Sequence, residues 1–361
     1  MEGIGWFAYE NLKRITTQHP EHEFIFIFDR QYDQKFIFNS NITPVIANPP
    51  SRHPVLWYLF FEWGVPPVLR KHKADLFFSP DGWLSLTAKV KSLTVIHDLN
   101  FMYEPKWIAK APRYYYQHFF PKFANKADRI ATVSEFSKRD ICDRFNVLSD
   151  KVDVVYNGAN ESYKPINEEQ KKATRSEFAN NEEYFLFVGL VHPRKNLTNI
   201  IKAFDSYKKR TSGKEKLIVV GSTAYWTTDT RQAFENSPNR SDIIFIGRLE
   251  PAKLHMVMAA SKALVFASLF EGFGIPILEA MYCDVPVITS DVTSMPEIGG
   301  DAAVYVDPYS INSIADAMVK ISTDVKLRED LVEKGREQRK KFSWDNSSQL
   351  VWNAIERTLE G

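Results

Sequence analysis

Short apolar runs alternate with amphipathic stretches along nearly the whole chain, in two series separated by a polar segment. Short runs with apolar side chains at successive positions suit strands covered on both faces, and strands of that kind run parallel only when helices carry the chain back between them. The first series predicts strands at residues 24–28, 76–79, 93–96, 129–133 and 152–155, and the second at 184–188, 217–220, 243–246, 264–267 and 285–289. After the first strand of the second series, Leu197, Ile200, Ile201, Phe204 and Tyr207 fall on one helical face, at i, i+3, i+4, i+7 and i+10. Between the series lies a stretch rich in Asn, Glu, Lys and Gln, residues 161–181, which marks a domain boundary. The fold class is therefore α/β, with two Rossmann-like doubly wound domains, and 361 residues is the length expected of about two domains. Such domains, joined by a linker, are expected to face each other across a cleft at the carboxyl ends of their sheets, where open α/β sheets bind ligands.

Charge and cysteine usage narrow the function. Lys and Arg number 46 against 45 Asp and Glu, so no global field draws the chain to nucleic acid, and an anion site must be local. The two cysteines, Cys142 and Cys283, lie far apart and without metal-ligand spacing, which fits a reducing cytoplasm and gives no zinc site. Residues 1–5 have neither the basic nor the apolar part of a signal peptide. The most apolar stretch, residues 54–69, is interrupted by Glu62, Gly64, Pro66 and Pro67, short of the roughly 20 residues a membrane span needs.

Four segments carry chemistry. In Glu271-Gly272-Phe273-Gly274-Ile275-Pro276-Ile277-Leu278-Glu279, a predicted strand gives way to a helix whose first turn suits Pro276. Its glycines let main-chain N–H groups approach a hydroxyl or phosphate, two carboxylates bracket the loop, and Glu279 could accept both hydroxyls of a ribose. Taken alone, the segment is equally a tight turn with a capping glutamate. Gly189 ends the first strand of the second domain, and Arg194 and Lys195 then precede a helix, so two cations and a helix N-terminus meet at one spot suited to a diphosphate. A solvated Arg-Lys pair is the plain alternative. With these cations to neutralise a departing diphosphate, and no clustered Asp-rich motif, neither a metal nor a cofactor is expected. His97 and Asp98 sit just past a strand end in the first domain, which also describes an ordinary turn, and Gly3-Ile4-Gly5 could form a loop that lets Gly5 approach a ligand.

Together these residues resemble the family 4 glycosyltransferases, retaining enzymes of the GT-B fold that use nucleotide-sugar donors. The stretch from Glu271 to Glu279 looks like the family's E-x7-E motif and Arg194-Lys195-Asn196 like its phosphate-binding segment. Residues 131–137, 155–158 and 296–303 look like further landmarks of the family. The resemblance implies that Glu271, with the main chain of Gly272, Phe273 and Gly274, holds the donor sugar and that Glu279 grips the ribose. It also implies that Arg194 and Lys195 bind the diphosphate, that His97 faces the transferring sugar, and that Arg248 and Leu249 lie in the loop around the base. Domains of residues 1–165 and 166–343 follow, with a closing helix over 344–361 that returns to the first. Transfer would retain the anomeric configuration, the leaving phosphate accepting the acceptor's proton on the same face. The pattern around His97-Asp98 and Arg194-Lys195-Asn196 lies slightly closer to users of GDP-mannose than of UDP-sugars.

Family members open with a strand that feeds the glycine-rich loop, whereas only Met1 and Glu2 precede Gly3; the natural reading frame is expected to begin upstream. The acceptor, a glycan or lipid-linked saccharide, is expected on the first domain near Asp98, Trp107 and Tyr114, where aromatics interleave with Lys110 and Arg113. The same surface could rest on the anionic inner face of the cell membrane, or be a partly buried amphipathic helix with solvated cations. An NDP-sugar epimerase or a phosphorylase on the same fold, and an inactive nucleotide-sugar-binding protein, stay open. Two other readings fit poorly. A glycosidase using Glu271 and Glu279 leaves Arg194 and Lys195 without a role, and a nicotinamide oxidoreductase lacks its glycine fingerprint.

Overall fold

The structure, a computed structural model, describes residues 3–360. Its contacts divide the chain after Asn157 and again after Phe342, and the closing segment from Ser343 belongs with the first unit. Residues 158–165, expected in the first domain, belong to the second. There Tyr163 is buried, and His255 Nε2 lies 2.7 Å from the Lys164 carbonyl.

In the first unit, β1 (Phe24–Phe28) pairs in parallel with β2 (Ile42–Ile46), while β3 (Leu76–Ser79), β4 (Lys91–Val95), β5 (Arg129–Thr132) and β6 (Val152–Val154) form a second parallel sheet in that order. The parallel strands of this Rossmann-like half thus fall into a two-stranded and a four-stranded sheet. β2 escaped the sequence reading because Asn41, Thr43 and Pro44 dilute its apolar run, and a proline deprives a strand of one ladder donor. The expected Gly3-Ile4-Gly5 loop is corrected as well: these residues are the first turn of the helix Gly3–Gln18. The closing helix Trp344–Glu360 is tied to the same unit by Arg14 Nε on Asp345 at 2.7 Å and by Lys91 Nζ on the Leu359 carbonyl at 2.6 Å. Trp352 stacks on His19 with ring centroids 3.5 Å apart.

The second unit holds β7 (Tyr184–Val188), β8 (Lys216–Val220), β9 (Ile243–Gly247), β10 (Ala263–Phe266), β11 (Val287–Ser290) and β12 (Ala303–Val306), all parallel in the order β12-β11-β10-β7-β8-β9. The helix Leu197–Thr211 lays Leu197, Ile200, Ile201, Phe204 and Tyr207 against Phe185, Phe187, Leu217, Val219 and Val265, every one of them buried. Burying side chains of this size stabilises by about 1.5–3 kcal/mol each, which makes this layer the rigid base of the unit. β12, short and following Gly299-Gly300-Asp301, was not anticipated.

The strand order reverses direction between β7 and β10. From β7 the chain moves outward to β8 and β9, then returns to lay β10 on the other side of β7 and continues outward to β11 and β12. The loops after β7 and β10 therefore leave the sheet side by side, which opens a crevice at the carboxyl ends of two neighbouring strands. The loop after β7 is also pressed against the one after β8. At Gly221, φ is +150° and an added Cβ would stand 1.8 Å from the Gly189 carbonyl oxygen. Backbone meets backbone there, so neither side can yield. Gly221→Ala is expected to destabilise the protein by about 3 kcal/mol in urea unfolding; a cost under about 0.5 kcal/mol would contradict this packing.

Candidate active site

The strand order brings Arg194 and Lys195, from the loop after β7, to Glu271, from the loop after β10. Arg194 and Lys195 lie in a short 3-10 turn, Pro193–Lys195, started by Pro193 and ended by Asn196 in a left-handed conformation. Asn196 is buried, and its Nδ2 donates to the carbonyls of Ala267 at 2.9 Å and Pro308 at 2.7 Å, fixing the turn to the end of β10 and to the loop after β12. The Leu269 N–H adds a bond to the Arg194 carbonyl at 2.8 Å.

Arg194 Nη1 donates to Glu271 Oε2 and Lys195 Nζ to Glu271 Oε1, both at 2.7 Å. Arg194 Nη1 is also 2.7 Å from the Phe270 carbonyl, and Lys195 Nζ lies 4.7 Å from the centre of the Phe266 ring. The Glu271 side chain is only 8% exposed. Burial by itself would raise its pKa, but the charges of Arg194 and Lys195, with the hydrogen bond from Lys195, bring it down to about 2. Two cations on one carboxylate leave this spot with a net positive charge.

The main chain around Glu271 is held by hydroxyls that the sequence reading missed. Ser294 Oγ lies 2.9 Å from the Glu271 carbonyl and 3.0 Å from that of Phe273, and the Glu271 N–H donates to Thr293 Oγ1 at 3.3 Å. Ser290 Oγ reaches the Ser268 carbonyl at 2.7 Å. Thr293 has φ of +58°, a costly conformation for a β-branched residue, so this segment is strained as it meets the loop. Their sequence signal was the cluster of hydroxyl residues Thr289, Ser290, Thr293 and Ser294 at the end of a buried strand. Of the loop itself, Gly274 has φ of +101° and caps the helix Ile275–Tyr282, with proline in its first turn as expected. The Phe273 ring turns inward, edge-on to Phe342 at 5.7 Å, which leaves the main chain of this residue as its means of contacting a ligand.

Glu279 lies on that helix, partly buried, with Tyr163 hydrogen-bonded to it. Burial raises its carboxyl to about 7, with the Tyr163 bond opposing the rise in part. Tyr163, from the segment just after the division between the units, is a further residue the sequence reading missed. Gly189 follows β7 with its N–H on the Val220 carbonyl, while Arg248, exposed, and Leu249, half-buried, follow β9.

The remaining candidates lie in the first unit. His97 Nε2 is 2.9 Å from the Pro80 carbonyl, and its ring stands edge-on to Phe7 at 4.9 Å. Burial lowers its pKa, the Pro80 bond and the Asp98 charge opposing, so near neutrality the imidazole is uncharged; donation from Nε2 to the carbonyl leaves Nδ1 as an acceptor. Asp98 Oδ1 accepts from the Asn100 N–H at 2.9 Å. Trp107 is half-buried, and Tyr114 is exposed with the Arg113 guanidinium 5.5 Å from its ring centre. Tyr115 is buried and Tyr116 half-buried, packed with Trp57 and Trp83. Among the described residues no group of three or more His, Cys, Asp or Glu is placed to hold a metal ion, and no helix is long and apolar enough to cross a membrane.

Two ionisations give opposite pH dependences. The native state keeps the Glu279 proton between about pH 4.5 and 7, where the unfolded chain has released it, so stability falls as pH rises through that window. Glu271 contributes stability above pH 4.5 that is lost as pH falls towards 2. In urea unfolding at about pH 5 and about pH 8, Glu279→Gln is therefore expected to gain about 3 kcal/mol on the wild type between the two; a gap that does not change with pH would contradict the assignment.

Comparison with known proteins agrees with this layout. Residues 3–163 match the family described as Glycosyltransferase Family 4, and residues 168–338 match Glycosyl transferases group 1. The chain is 29% identical over 288 residues to the O-antigen chain mannosyltransferase B of Escherichia coli, covering 80% of this chain and 75% of that one. It is 27% identical over 314 residues to the O-antigen chain mannosyltransferase RfbU of Salmonella typhimurium, covering 87% and 82%. Anabaena HepE, solved in complex with UDP and glucose, superposes with a TM-score of 0.75 at 15% identity over 96% of each chain, a likeness of fold. Two parallel α/β units matched end to end in this way make the chain a GT-B enzyme belonging to the family 4, group 1 glycosyltransferases.

Proposed function

We propose that this enzyme moves a mannosyl group from GDP-mannose to a glycan or lipid-linked saccharide, with retention at the anomeric carbon and without a metal ion. The observation that carries the reading is the convergence of Arg194 and Lys195 on Glu271 at the crevice between β7 and β10. The diphosphate takes Arg194 and Lys195, which neutralise it as the sugar departs. Glu271 and the main chain of Gly272 to Gly274 hold the sugar, Glu279 accepts the ribose hydroxyls, and Gly189, Arg248 and Leu249 line the nucleotide. No covalent nucleophile is assigned. The departing phosphate oxygen takes the acceptor's proton as the new glycosidic bond forms on the face the nucleotide leaves. His97, uncharged, offers Nδ1 as an acceptor to a sugar hydroxyl, and Asp98, Trp107 and Tyr114 meet the acceptor.

The mannosyl donor and the role in polysaccharide assembly are supported by the names of the two enterobacterial relatives, both O-antigen chain mannosyltransferases. A lipid-linked acceptor fits a cytoplasmic enzyme resting on the inner face of the membrane, with exposed Tyr114 beside Arg113.

A melting-temperature panel with GDP, UDP and ADP tests the nucleotide, since a ligand at roughly 100 times its dissociation constant adds about 2.7 kcal/mol of stability. GDP is expected to give the largest shift and Lys195→Ala to abolish it. A shift with UDP alone would overturn the GDP assignment, and none with any nucleotide would overturn the site. In transfer assays Glu271→Gln is expected to lower kcat by about a hundredfold or more. Product that forms without an acceptor sugar would point instead to an epimerase, and product that needs orthophosphate to a phosphorylase.

A further inference from the structure

The cations proposed to receive the diphosphate are engaged by Glu271. Arg194 Nη1 is anchored independently by the Phe270 carbonyl, and Lys195 lies over the Phe266 ring. The Glu271 main chain is pinned at its N–H by Thr293 and at its carbonyl by Ser294. What can move when an anion arrives is the Glu271 side chain, about its own rotatable bonds.

We propose that Glu271 competes with the nucleoside diphosphate for Arg194 and Lys195, so that the enzyme binds intact donor in preference to the spent nucleotide. The inference rests on the reading of the site given above and assigns Glu271 a role beyond holding the sugar. A diphosphate entering this spot meets two cations and one buried carboxylate, and like charges at such separations in a poorly solvated site repel. Arg194 and Lys195 have donors enough for several acceptors, so what the diphosphate loses is the charge already offset by Glu271. The intact donor carries its own compensation. Its sugar hydroxyls donate to the carboxylate as the carboxylate gives up the cations, and the buried charge keeps hydrogen-bond partners. Free nucleoside diphosphate brings no such hydroxyls to that position. It leaves Glu271 either facing phosphate oxygens or swung away unsatisfied, and both weaken binding. Once the sugar has been transferred, Glu271 returns to Arg194 and Lys195 and hastens release of the product.

The test is calorimetric titration of the wild type, Glu271→Gln, Glu271→Asp and Lys195→Ala with GDP and with GDP-mannose in the absence of acceptor, and in parallel with UDP and UDP-glucose. For the nucleotide the wild type accepts, Glu271→Gln is expected to bind the free diphosphate at least about tenfold more tightly than the wild type, and to lose the preference for the intact donor. Should Glu271→Gln fail to fold, Glu271→Asp decides. Its carboxylate stops a methylene short of both cations, and it is expected to bind the free diphosphate about threefold more tightly. Diphosphate affinity that is unchanged or weaker in the folded variant would overturn the competition. If instead Lys195→Ala binds diphosphate as the wild type does, or the wild type binds neither nucleotide, the reading of the site fails, and the competition with it.

Discussion

One buried carboxylate shared by two cations holds this site together. Glu271, Arg194 and Lys195 come from loops more than seventy residues apart in sequence, and they meet because β10 lies next to β7. The apolar layer beneath them is rigid, so the loops emerging from those two strands have little freedom of position. Asn196 then bridges the loops with two bonds to main-chain carbonyls, and the hydroxyls that follow β11 fix the backbone on either side of Glu271. Packing sets the strands, the strands set the loops, and the loops set the charges.

The electrostatics follow from that geometry. A carboxylate taken from solvent without a cation beside it tends to keep its proton, as at Glu279, whose carboxyl is raised to about 7. Glu271 differs because two full positive charges lie within hydrogen-bond distance, and their attraction outweighs the loss of solvent. Two glutamates eight positions apart, bracketing one glycine-rich turn, are thereby given opposite protonation behaviour near neutral pH. One is a fixed anion in a cationic setting; the other gains or loses charge with modest changes in its surroundings, such as the arrival of hydroxyl groups that stabilise the ionised form.

Much of the second unit was legible in the sequence because its strands are short, apolar and punctuated by glycine or proline, and because the helix after β7 displays one apolar face. Arg194, Lys195, Glu271 and Glu279 were singled out from residue type and their position at strand ends. What local pattern could not supply was the pairing of the first three with one another, since strand order, not spacing, decides which loops are neighbours. Ser294, Thr293 and Tyr163 escaped for a related reason: a serine, threonine or tyrosine is unremarkable until the fold shows which carbonyl or carboxylate it faces. In the first unit the proline-bearing β2 and the helical first turn at Gly3-Ile4-Gly5 went unread, because a short, diluted strand and a glycine-containing helix start both lack the periodicity that sequence reading depends on.

The fold and family fix the enzyme as a glycosyltransferase, and the charged cluster gives that activity a physical location in the second unit. A crystal structure of the protein with GDP or UDP bound tests this location most directly. The β-phosphate oxygens are expected within hydrogen-bond distance of Arg194 and Lys195, with the Glu271 carboxylate rotated away from at least one of them. A diphosphate seated elsewhere, with both Glu271 ion pairs intact, would contradict it.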